Sequence, residues 1–102
     1  MAISRTDIRQ SFTTNGPGDD ILQIRGVKRG EPVFINLIVS GTFSGDGVVL
    51  QESLPDANEW VNIPDAGMSQ PSTTVVKVVA PGDFRWFSGI ASGTANCSAV
   101  AL

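Results

Sequence analysis

Residues 33–40 read Val33-Phe34-Ile35-Asn36-Leu37-Ile38-Val39-Ser40. The odd positions are all aliphatic, and the even positions form a second face that is also largely apolar. Alternation of period two, with four of the eight side chains β-branched, predicts a strand. A strand apolar on both sides belongs in the middle of a sheet whose outer face is partly covered, by a loop or by a neighbouring subunit. The second option bears on function.

Working outward, the chain falls into short Val-, Ile-, Phe-, Thr- and Trp-rich pieces cut by eleven Gly and six Pro. Upstream, Arg5 to Thr14 and Ile21 to Arg25 read as strands, with 26–30 as their connection to the central strand. Downstream, Gly41-Thr42-Phe43-Ser44-Gly45-Asp46-Gly47 has turn composition and predicts a hairpin whose return strand is Val48 to Leu54. A short strand at Glu59 to Ile63, a loop from Pro64 to Ser72 and a strand at Thr73 to Ala80 follow. Pro81-Gly82-Asp83 reads as a turn. Phe84 to Gly89 and Thr94 to Leu102 read as the last two strands, the second with Ala95, Cys97, Ala99 and Ala101 on one side. No apolar set recurs at helical spacing. The expected fold is all-β, an antiparallel β-sandwich or jelly-roll-like barrel of seven or eight strands. Residues 1–18 form an N-terminal strand or arm and 19–102 the β-sandwich domain. The expected core is Val33, Ile35, Leu37, Phe43, Leu50, Trp60, Val76, Val78, Phe84 and Trp86.

Composition narrows the function classes. A chain of 102 residues, 41% hydrophobic, has the size of one domain. Seven basic against ten acidic residues leave a net charge of -3, so a footprint for nucleic acid is missing. The sequence has no histidine, which removes the commonest general base and metal ligand. Its single cysteine, Cys97, cannot form an internal disulfide. No apolar run approaches the roughly 20 residues of a membrane helix, and the N-terminus has no export signal pattern, so a soluble protein is expected. Charge is uneven: residues 1–31 carry five basic and four acidic groups, residues 32–102 two and six. A basic leading segment beside an acidic body suits docking of one subunit's N-terminus on another, and a random scatter of charge accounts for it about as well.

Candidate chemistry is thin. Asp46, Asp56, Asp65 and Asp83 lie in expected loops without the spacing of a calcium loop, and aspartate is common in turns for its own reasons. The glycines of 41–47 lack the Lys-Ser/Thr ending of a phosphate-binding loop. Cys97 has no base to activate it and reads as a buried thiol. Ser88 with Lys77 has no spacing that recommends a nucleophile pair. Trp60 and Trp86, with the phenylalanines, fit core packing better than a stacking platform for sugars, with one or two rings left for the surface. No cofactor and no metal are implied.

The stretch 41–63 resembles small β-domains of tailed-bacteriophage virion proteins, through Gly41, Thr42, Phe43, Val48, Leu50, Gln51, Ser53, Asp56 and Trp60. Val75 to Val79, then Pro81-Gly82-Asp83-Phe84-Arg85-Trp86, then Ser88-Gly89 and a Gly/Ala/Thr-rich ending extend the similarity over about two-thirds of the chain. Pro55 before Asp56, and Ala57 where glycine is expected, depart from the pattern. In it Phe43, Leu50 and Trp60 meet across the hairpin. The resemblance implies a non-enzymatic virion structural protein, foremost a capsid decoration or cement protein. Its partners are then the major capsid protein and further copies of itself, and its location the virion assembled in the host cytoplasm. A head-tail or tail-fibre role on the same fold is the alternative. So is a carbohydrate-binding β-sandwich module, since residues 53–60 loosely resemble a discoidin-like strand-turn-strand. For association the expectation falls on Arg5, Arg9 and Phe12, on an arm that Asn15-Gly16-Pro17-Gly18 could release to add a strand to a neighbour.

Overall fold

The computed structural model describes residues 7–24, 30–54, 59–80 and 82–102. Their regular structure is entirely strand: β1 (Asp7–Phe12), β2 (Gly16–Pro17), β3 (Leu22–Ile24), β4 (Glu31–Leu54), β5 (Glu59–Met68), β6 (Ser72–Ala80) and β7 (Gly82–Ala101). They form one antiparallel sheet in the order β1-β7-β4-β5, with β2 and β3 also on β7 and β6 also on β4. The all-β antiparallel expectation holds. Closure into a barrel does not occur.

Two strands carry the architecture. β4 has 24 residues and β7 has 20, and they pair from Ile35↔Ala101 to Ser53↔Asp83. One half of this long pair is flanked by β1 on β7 and β6 on β4. The other half is flanked by β2 and β3 on β7 and by β5 on β4. Both halves feed a single cluster of buried side chains, so the sheet wraps one core.

The wrap is made at a corner. On the first half of β4 the buried hydrophobic residues are odd-numbered, Ile35, Leu37 and Val39; on the second they are even, Val48 and Leu50. β7 switches too, from the even positions Phe84, Trp86, Ser88 and Ile90 to the odd positions Ala95, Cys97 and Ala99. A period-two pattern changes parity only where residues are inserted, and register breaks between Ser44 and Gly45 and between Gly45 and Val48 supply them. At this corner Gly41 and Gly93 hold positive φ, with each chain pressed on the other. A Cβ on Gly41 would lie 2.3 Å from the Thr94 carbonyl oxygen, and one on Gly93 2.1 Å from that of Thr42.

Residues 41–47 are therefore not a hairpin. β4 runs straight through them, because β7 bends alongside and keeps most of the pairing. For the same reason 84–89 and 94–102 belong to one strand, save the terminal Leu102, and β5 continues past Ile63 to Met68, leaving only 69–71 as the connection to β6. A glycine with positive φ serves a bulge as readily as a turn, and only the partner strand decides between them.

Ile35, Leu37, Leu50, Val76, Val78, Phe84 and Trp86 are buried, and Val33 and Phe43 pack partly exposed against them. Trp60 is outside this cluster. It pairs with Ser53 on the face that also carries Gln51, so it lies across the sheet from the buried Leu50 and the two do not meet. Ala95, Cys97 and Ala99 bring little volume to a core that must hold Trp86 and Phe84.

Candidate functional site

The residues expected to mediate association are divided by the structure. Arg5 lies outside the described residues. Arg9 is exposed on β1, but Phe12 is buried in the core and is not a surface contact. β1 pairs with β7 of its own chain along all six residues, Asp7↔Val100 to Phe12↔Ala95, and Ile8 is buried beside it. The segment closes this sheet in place.

Among the other candidates, Trp86 is fully buried and cannot be a platform; its indole Nε1 has no hydrogen-bond partner among the described residues. Trp60 is half-buried, with the Arg85 guanidinium 4.3 Å from its ring centroid. Burial pushes the Cys97 thiol up to about 12, which keeps it protonated and inert. Ser88 is buried and accepts from the Ile90 N–H, while Lys77 is exposed, so the two make no nucleophile pair. Asp56 lies outside the described residues. Among the described residues no three His, Cys, Asp or Glu side chains gather where a metal could sit.

Two surface features stand out. The first is on the half of the sheet built from β1, β7, β4 and β6. Its outward residues include Phe34 and Ile38 on β4, 48% and 43% exposed, Val75 on β6 at 51% and Val100 on β7 at 37%. Asn36 pairs with Val75 on one side and with Val100 on the other, so these four surround it in a cross. Leu102 joins the edge, its N–H bonded to the Phe34 carbonyl. Together they expose roughly 400 Å² of apolar surface, about the size of the largest patch on an ordinary protein, which is often functional. The rim carries Asp7, Arg9 and Lys77.

The second feature is on the other half, where β5 meets β4 and β7. A depression of about 470 Å³ is lined by Asp46, Asn62, Met68, Ser69 and Phe87 among others, with Gly47, Gly67 and Gly89 in its wall. Beside it runs a hydrogen-bond relay: Arg85 Nε donates to Gln51 Oε1 at 3.0 Å, and Gln51 Nε2 donates to Asn62 Oδ1 at 3.0 Å. Partial burial lowers the pKa of Arg85, and its charge is held over the Trp60 ring. Opposite Leu50, β5 is bulged, since Val49 pairs with Gly67 and Gln51 with Asn62. Within the bulge Asp65 has a φ of 64°, a left-handed conformation rare outside glycine.

Sequence reasoning noted Asp46 and Trp60 separately and did not foresee this grouping. Its members come from β4, β5 and β7, and a pairing register is not written in any one of them.

No family model and no curated protein sequence matches the chain. Among solved structures it is similar to one described as the crystal structure of FLHE, at 14% identity over 97% of each chain, with a TM-score of 0.30. A likeness at that level carries no argument about function.

Proposed function

We propose that this chain is a non-enzymatic bacteriophage virion structural protein, a capsid decoration or cement protein that binds the major capsid lattice as a homo-oligomer. The observation that carries the reading is the apolar cross of Phe34, Ile38, Val75 and Val100. A standard interface takes about 800 Å² from each partner, and a patch of half that size is the right scale for its water-free centre. The rim suits a second copy. A two-fold axis parallel to the strands and midway between β7 and β4 lays β1 of one copy over β6 of the other, which puts Asp7 above Val75, two residues along β6 from Lys77, and Arg9 above Thr73. The resemblance of 41–63 to phage virion β-domains supports the capsid part of the reading. Multivalent attachment to a repeating shell then turns weak individual contacts into stable coating.

Light scattering on the purified chain tests the self-association: an oligomer is expected, and Ile38→Lys is expected to give a folded monomer. Electron microscopy of particles lacking the protein tests its place. Fragile capsids are expected; intact capsids without tails would transfer the role to the head-tail junction or tail. A wild-type chain that is a monomer at every concentration would overturn the oligomeric reading.

A further inference from the structure

The depression between β5, β4 and β7 lies on the half of the sheet away from the apolar cross, and its lining is chemically mixed. We infer that it is a binding site for a neutral pyranose sugar. The polarity of its hydrogen-bonding groups is fixed by the relay. Arg85 can only donate, so Gln51 Oε1 accepts, Gln51 Nε2 donates, and Asn62 Oδ1 accepts. Asn62 is exposed and lines the pocket, so its Nδ2 is left as a donor oriented by two residues behind it. Asp46 supplies a carboxylate acceptor in the same pocket, and Ser69 can do either. A fixed donor and a fixed acceptor suit neighbouring hydroxyls of one ring, because each hydroxyl both donates and accepts. The apolar walls, Phe87, Val49 and Met68, suit the C–H face of that ring. The volume is in the range of small-molecule sites. A carboxylate in the lining, in a chain of net charge -3, disfavours an acidic sugar.

The glycines separate what the fold requires from what the pocket requires. A Cβ on Gly47 would lie 2.2 Å from the Met68 carbonyl oxygen and one on Gly89 3.1 Å from Asp46 Cβ, so packing accounts for both. Gly67 differs: its φ lies outside the left-handed region, and a Cβ would meet nothing closer than 3.8 Å. The fold tolerates a side chain there, and its absence leaves the depression open. The bulge at 63–66 with its strained Asp65 is the device that carries Asn62 and Gly67 apart around the space.

The test is a titration of the full chain, followed by amide chemical shifts, with methyl α-glucopyranoside, methyl α-galactopyranoside, methyl α-mannopyranoside and N-acetylglucosamine. Galacturonate is the charged control. The expected result is a saturable shift confined to residues around Asn62, Gly67 and Phe87 with at least one neutral sugar, and weaker binding of galacturonate. Asn62→Asp exchanges the oriented donor for an acceptor at constant shape and should weaken binding about ten-fold or more. Gly67→Leu should abolish binding with the amide spectrum elsewhere unchanged. Three results would each overturn the site: no shift from any neutral sugar at about 50 mM, which excludes even the weakest useful affinity; tighter binding of galacturonate; or undiminished binding in both folded variants. Ile38→Lys, which acts on the opposite half of the sheet, should leave the titration unchanged.

Discussion

Alanine at three glycines separates backbone strain from steric clash and so measures the corner on which the fold depends. Gly67 has neither problem, Gly30 has a φ of +86° with nothing within 4 Å of its Cβ, and Gly93 has a φ of +90° with Thr42 O at 2.1 Å. For Gly67→Ala the stability should stay within about 0.5 kcal/mol of the parent, with a small gain from the stiffer unfolded chain. Gly30→Ala carries the left-handed strain alone, about 1–2 kcal/mol. Gly93→Ala adds the clash. Ordinary contact begins at 3.4 Å, so the two chains must separate by more than an ångström where Thr42 pairs with Thr94 and Phe43 with Gly93. Losing two such ladder contacts at about 1 kcal/mol each, on top of the strain, brings the total to about 3–4 kcal/mol. In a domain of this size each kcal/mol moves the melting temperature by about 4–8 °C, so the three variants should melt in a clear ladder. Urea titration and calorimetry on the set read it directly. If Gly93→Ala and Gly30→Ala melt together, the chains do not press on each other at the corner, and the continuous β4 gives way to the hairpin that the composition of 41–47 suggests.

Three further outcomes are expected. Deleting residues 1–14 removes Ile8 and Phe12 from the core, each worth about 1.5–3 kcal/mol, and should leave the chain unfolded by circular dichroism; a folded deletion product would restore the releasable arm. Because the buried Cys97 thiol is pushed up to about 12 from an unfolded value of 9.0, the folded state holds that proton where the unfolded one loses it. Stability should therefore fall as pH rises above about 9, and urea midpoints should lose part of that slope in Cys97→Ala; identical slopes would show the thiol to be exposed. Arg85→Ala should change the emission of Trp60 and cost about 0.5–1 kcal/mol, while Trp86, sealed in the core, keeps its blue-shifted band and its resistance to iodide quenching.

The strands around Val33–Ser40 were legible because each contains its own evidence: alternation reports a face without reference to any partner. The corner was not, since Gly41, Gly45 and Gly93 are compatible with a reversal or a bend, and the decision lies in how β7 pairs with β4. Phe12 was misplaced for a related reason. An isolated N-terminal segment after a flexible-looking Asn15-Gly16-Pro17-Gly18 resembles an arm until its register with 95–100 is known. The contact between Trp60 and Leu50 is an expectation of the pattern that 41–63 resembles, in which they meet across a hairpin, yet the register puts them on opposite faces. The apolar cross was half visible, in the greasy even positions of 33–40; Val75 and Val100 complete it from strands far away in sequence.

The length of β7 has a mechanical consequence. This terminal strand is laced on one flank to β4 for most of its course and on the other to β1, β2 and β3 in turn. A tug at the C-terminal end along the strand loads those lateral bonds in parallel, as a seam is loaded when pulled lengthwise, and few can be opened one at a time as in a zip. A small unit built this way, without a disulfide, is suited to positions where force must be borne.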